Sequence, residues 1–153
     1  NSTQSLVDGY INTTGKGNSY FLYNSFIKHL NEPIIISPCD MVIDIDLIKV
    51  YKDYLNLHSP AIMIVATNPV EGVAGDFIKH DDSNTITALN RENVTNKYCS
   101  GLQIVNPYKV NKITKKTNNF YQVWEQLAGT PELKVSNLLP TKWNSYDDIS
   151  SII

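Results

Sequence analysis

The sequence holds only two cysteines, Cys39 and Cys99, far apart and without histidine or a second thiol at ligand spacing. That excludes a zinc finger or a disulfide framework and reads as two reduced thiols. His29, His58 and His80 are equally scattered, so no histidine-based metal or catalytic cluster is spelled out. No apolar run approaches the ~20 residues that a bilayer-spanning helix needs. No signal peptide is visible, and the expectation is a cytoplasmic protein without a membrane partner. Basic residues are not in surplus: 13 Lys and Arg stand against 15 Asp and Glu, for a net charge of -2. A nucleic-acid partner is disfavoured, because backbone binding needs a cationic face. The one basic cluster, Lys112, Lys115 and Lys116, reads as a solvated helix face. No Gly-x-Ser-x-Gly or similar nucleophile signature is present, which weighs against acyl transfer and covalent hydrolysis.

What is there is a globular composition, 42% hydrophobic and 18% charged over 153 residues. A chain of that length forms one domain and buries roughly 68–70% of its unfolded surface. After a polar start with a short strand candidate at 10–13, Leu22, Phe26 and Leu30 fall four apart. That spacing predicts a helix from 19 to the Glu32-Pro33 stop. Ile34-Ile35-Ile36 is β-branched without alternation, as in a strand covered on both faces. A helix is predicted over 46–57 with Leu47, Val50, Tyr51, Tyr54 and Leu55 inward, and a second buried strand over 61–66. Strand, helix and strand in that order predict a right-handed βαβ unit. Further on, Phe77-Ile78 and 85–87 flank a turn and read as a hairpin. Another strand is expected over 102–105, helices over 108–116 and 119–128, and a strand over 133–135. An irregular stretch through Trp143 and a helix from about 146 complete the expected order. The fold class expected is α/β: a mixed, mainly parallel sheet flanked by helices, Rossmann-like, with the parallel strands early.

Ligands of open α/β sheets bind beyond the carboxyl ends of strands, and Asp40 stands there, after the Ser37-Pro38-Cys39 turn. A carboxylate at that place suits Mg²⁺, which takes one or two carboxylates and lets substrate phosphates complete its shell. Capping of a turn or pairing with a lysine is the plainer alternative. Asp44 and Asp46 spell Asp-x-Asp, but at a helix start such residues cap free N–H groups. Gly15-Lys16-Gly17 lacks the full phosphate-loop spacing, yet its glycines permit close backbone approach to a ligand.

Taken in order, these pieces resemble the sugar-phosphate nucleotidyltransferases. The run from Pro33 to Leu47, with Asp40 inside it, resembles the family's strand, magnesium aspartate and helix start. Thr14-Gly15-Lys16-Gly17-Asn18-Ser19 resembles its turn against the nucleotide base. Gly75 to Ile86 is similar to its hairpin near the sugar, Arg91 and Glu92 lie where a Glu-Lys pair reaches the sugar phosphate, and Tyr98-Cys99-Ser100-Gly101-Leu102 resembles a strand lining the sugar pocket. The segment from Trp143 to Ile149 resembles the closing stretch that supplies the second metal ligand: Asn144 in the closest register, Asp147 after a slip. The family's glycine-rich, arginine-containing triphosphate loop is absent. The resemblance therefore implies that residues 1–153 are one domain and the C-terminal portion of a longer one.

The implied activity is nucleotidyl transfer from a nucleoside triphosphate to a sugar 1-phosphate or similar phosphate, releasing pyrophosphate. Asp40 is the implied catalytic metal ligand, with Asn144 as the second ligand and Mg²⁺ as cofactor. Gly15, Lys16, Gly17, Asn18, Arg91, Glu92 and Gly101 are the implied substrate contacts. A glycosyltransferase using a nucleotide-sugar donor, and a degenerate domain that binds nucleotide or a partner without turnover, are the alternatives.

Overall fold

The computed structural model describes residues 7–70 and 75–146. Its centre is a six-stranded sheet: β1 (Ile34–Ile36), β3 (Ile62–Thr67), β4 (Phe77–His80), β5 (Ile86–Asn90), β6 (Tyr98–Val105) and β7 (Leu133–Val135). The path runs β5-β4-β6-β3-β7, with β1 also paired to β6. A separate two-stranded ribbon joins β2 (Met41–Asp44) to β8 (Lys142–Ser145).

All six residues of β3 are buried, because the strand is central and helices cover both of its faces. Ile62, Ile64 and Ala66 point into one core cluster, with Leu22 and Tyr23 of α1 (Tyr20–Asn24), Val110 of α3 (Pro107–Ile113), and Phe120, Val123 and Leu127 of α4 (Phe120–Leu127). Met63 and Val65 point the other way, with Leu102 and Ile104, onto Val50 and Tyr54 of α2 (Leu47–Asn56) and the inner side of the ribbon. The period of two along β3 thus divides the core into two layers.

The mixed α/β architecture is as expected, but the pairing within these residues is mostly antiparallel. Only β3 and β7 run parallel; the ladders of β6 with β1, β3 and β4, and of β4 with β5, are antiparallel. β1 and β3, expected as neighbours of one βαβ unit, are separated by β6, which returns between them. The two strands still run in the same direction, because each is antiparallel to β6. β3 is covered on both faces, whereas β1, expected to be covered likewise, leaves Ile35 47% exposed.

Local corrections have local causes. The helix expected from 19 breaks at Ser25, which is extended (φ -122°, ψ 177°) and caps Ile27 N–H, so α1 is followed by a 3₁₀ turn, Phe26–His29. Phe26 is consequently 71% exposed and not part of an inward stripe. In α2 only Val50 and Tyr54 are buried, whereas Leu47, Tyr51 and Leu55 face outward. Asp46 caps α2 as expected, accepting from Ile48 and Lys49 N–H at 3.0 and 3.1 Å. Asp44 instead ends β2, and its carboxylate accepts from the Thr141 hydroxyl at 2.7 Å. Residues 10–13 form no strand, and the stretch through Trp143 holds β8. The helix expected from about 146 falls almost wholly outside the described residues.

Candidate functional site

The turn that carries Asp40 follows directly from β1, and it rests on an irregularity in β6. The β3–β6 register shifts between Ile64 and Ala66, and the extra residues gather at Ser100-Gly101. Gly101 has φ +90°, a conformation that favours glycine, and a Cβ there would stand 2.8 Å from Pro38 Cγ. Ser100 bridges the gap: its hydroxyl donates to the Val65 carbonyl at 2.7 Å and accepts from Leu102 N–H at 3.2 Å. The Asp40 turn is therefore seated on a β-bulge, a common means of re-aiming a chain near a site.

From that turn the chain enters β2, whose partner is β8. Met41 pairs with Ser145, Val42 with Asn144, Ile43 with Trp143 and Asp44 with Lys142. Tyr146 N–H donates to the Asp40 carbonyl at 2.8 Å, which extends the ladder by one step. Side chains alternate along a strand, and directly opposed residues share a face. Met41, Ile43 and buried Trp143 thus face the core, while Asp40, Val42 and Asn144 face away from it. Asp40 and Asn144 stand on one exposed face, diagonal to each other.

Neither side chain makes a hydrogen bond or ion pair among the described residues. Asp40 also lines a hollow of about 420 Å³ with Cys39, Val42 and Tyr146. One carboxylate and one amide oxygen, both free and both hard donors, suit Mg²⁺ with substrate phosphates as its remaining ligands. A closed protein cage is not offered, since no group of three or more His, Cys, Asp or Glu residues converges among the described residues.

Three other expected site residues come together elsewhere. Asn18, Arg91 and Glu92 line one cavity of about 750 Å³, with Asp76 and Gln122 among the other walls. Arg91 Nε donates to Asp76 Oδ1 at 3.0 Å, and that bond, with the charge behind it, raises the guanidinium pKa further. Asn18 is also structural, because its Oδ1 accepts from Phe120 N–H at the start of α4, 2.9 Å away. The two hollows share no lining residue. Behind the larger one, the Asp76 carbonyl accepts from Cys99 N–H, and the neighbouring Tyr98 ring packs edge-on against Trp143 of the ribbon, 5.6 Å between centroids.

The Gly15-Lys16-Gly17 group lines neither hollow. Gly15 is exposed at φ +70° with open space around it, and Lys16 Nζ lies over the Tyr20 ring at 5.6 Å. Gly17 is required for packing: an added Cβ would overlap the Asn118 carbonyl oxygen. Pro38, Ser100, Trp143, Tyr146 and Asp76, which lie in segments of the resemblance without a site role of their own, support the site here. A Ser-Gly pair inside an apolar strand was the available signal for the bulge; the others were visible only in three dimensions.

The six-stranded sheet, its two helical layers and the outlying ribbon make up a fold found in sugar-phosphate nucleotidyltransferases. The inositol-1-phosphate CTP transferase from T. maritima matches with a TM-score of 0.65 at 14% identity, covering 92% of this chain and 59% of that one. A putative glucose-1-phosphate thymidylyltransferase from Bacillus anthracis, solved in complex with a sucrose, matches with a TM-score of 0.61 at 9% identity, covering 80% of this chain and 52% of that one. This chain therefore spans between half and three fifths of those two structures. No protein-family model matches it, and no curated protein matches it in sequence. No helix among the described residues is long and apolar enough to cross a membrane.

Proposed function

We propose that the protein transfers a nucleotidyl group from a nucleoside triphosphate to a sugar 1-phosphate or a similar phosphate. The observation that carries this reading is the placement of Asp40 beyond the carboxyl end of β1, sharing an exposed ribbon face with Asn144. The likeness in fold to two nucleotidyltransferases supports it. An acceptor phosphate oxygen attacks the α-phosphorus, a P–O bond forms, the bond to the bridging oxygen breaks, and pyrophosphate leaves. Asp40 and the Asn144 carbonyl oxygen would hold a Mg²⁺ ion that offsets charge on the phosphate oxygens. No protein nucleophile or strong base is required, because the acceptor phosphate is already ionised.

Arg91 is the cation for the acceptor phosphate, held by Asp76 at the cavity wall, and Asn18 and Glu92 contact the substrate from the same cavity. Gly15, Lys16 and Gly17 are assigned to the nucleotide base by the resemblance alone, and Gly101 contributes by seating the Asp40 turn.

Calorimetry with Mg²⁺, across the common triphosphates and nucleotide-sugars, tests the proposal on the longest obtainable form of the protein. One nucleotide should bind in a manner that needs both Mg²⁺ and Asp40, and Asp40→Ala should abolish it. Turnover should release pyrophosphate; transfer from a nucleotide-sugar without pyrophosphate would instead define a glycosyltransferase. Absence of nucleotide binding by a folded, full-length protein sinks the catalytic assignment.

A further inference from the structure

The β2–β8 ribbon is short, four residues on each strand, and a two-stranded ribbon is marginal on its own. Its register nevertheless decides which side chains meet. Because the side-chain period along a strand is two, a slip of one residue turns every side chain to the opposite face. In the observed register Trp143 points inward, 9% exposed, and Asn144 points outward with Asp40. A slip would bury Asn144 and expose the indole.

Trp143 ties the ribbon to the main sheet. Its Nε1–H donates to the Ser100 carbonyl at 2.9 Å, a buried bond. That carbonyl belongs to the β6 bulge, whose Gly101 touches Pro38 of the Asp40 turn. The Trp143 ring also packs edge-on against Tyr98. One bulge therefore seats the Asp40 turn on one side and anchors the strand of Asn144 on the other.

We propose that Trp143 is a positioning residue for the metal-binding pair: its bond to Ser100 sets the β8 register that places Asn144 on the same face as Asp40. This rests on the reading of Asp40 and Asn144 as metal ligands. A tryptophan that only filled the core would affect stability and leave the metal untouched. A residue acting through a ligand's orientation changes metal affinity, commonly on the order of 10–100-fold.

The test is a titration of the full chain with Mn²⁺, followed by paramagnetic broadening of backbone amide NMR signals, which needs no turnover and no nucleotide. Signals of residues 40–42 and 144–146 should broaden first, and Asp40→Ala should remove the effect. Trp143→Phe keeps an aromatic ring and deletes the N–H; its spectrum should stay dispersed while the Mn²⁺ midpoint rises on the order of tenfold. Asn144→Asp adds a charge and should tighten Mn²⁺ in the wild-type background but not beside Trp143→Phe. Trp143→Tyr serves if the phenylalanine variant does not fold. Equal affinity in the Trp143 variants, or an equal gain from Asn144→Asp in both backgrounds, overturns the positioning role and leaves the metal reading standing. Broadening that ignores Asp40→Ala removes the metal reading and this role together.

Discussion

Gly101 and Pro38 form a steric pair, since a Cβ on the glycine would lie 2.8 Å from Pro38 Cγ and 3.4 Å from Met41 Sδ. The contact explains how a strand residue with no chemistry of its own holds the Asp40 turn. Gly101→Ala should lower stability by about 1–3 kcal/mol, the range for a side chain forced into such backbone. Gly129 is the control: it has φ +79° and open space, so Gly129→Ala should cost only about 1–2 kcal/mol from backbone alone. Urea unfolding of both variants measures the difference, and equal losses would show that the Pro38 contact carries none of it.

Gly15 and Gly17 should separate in the same way. Gly17→Ala meets the Asn118 backbone and should destabilise by about 3 kcal/mol, at the upper end of overpacking costs. Gly15→Ala should lose about 1 kcal/mol or slightly more. Thermal melts would give the ranking, and the reverse order would contradict the packing role assigned to Gly17.

Arg91 is exposed, so its ion pair with Asp76 contributes little stability, about 0–1 kcal/mol for such pairs. Arg91→Ala should leave the melting temperature nearly unchanged. On the proposed function it should raise the KM for the acceptor phosphate while leaving triphosphate binding intact. Steady-state kinetics with each substrate varied in turn distinguishes this from a loss that falls on both.

The two thiols should behave oppositely. Cys39 is exposed and should react promptly with a thiol reagent. Cys99 is half-buried against the core, and burial pushes its thiol from 9.0 up to about 12, so it should react far more slowly than Cys39. A raised native pKa means that the unfolded chain releases its proton first as pH rises. Stability from Cys99 is therefore complete below about pH 9 and declines from there towards about pH 12. Tyr54, raised by burial from 10.0 to about 12, adds to the same alkaline slope. Urea midpoints measured at about pH 8 and about pH 10.5 should fall, and Cys99→Ser should flatten part of that fall.

Where hydrophobic pattern and local chemistry coincide, the sequence by itself determined the outcome. The run 61–66 is apolar throughout and could only be a covered strand or a buried helix segment; its β-branched content settled which. Asp46 and Asn119 cap their helices because the capping bond is made within three residues, and such contacts need no tertiary partner. The position of Asp40 after a strand was legible for the same reason. Strand adjacency was not, since β6 returns between β1 and β3 only through pairing with residues far away in sequence. Nor was the outward face of α2 legible, because which apolar stripe is buried depends on what packs against it. The ribbon is the clearest case. Met41 to Asp44 and Lys142 to Ser145 lie about a hundred residues apart in sequence, and neither makes a strand without the other. Only tertiary structure, through the bulge at Gly101 and the indole of Trp143, places Asn144 beside Asp40.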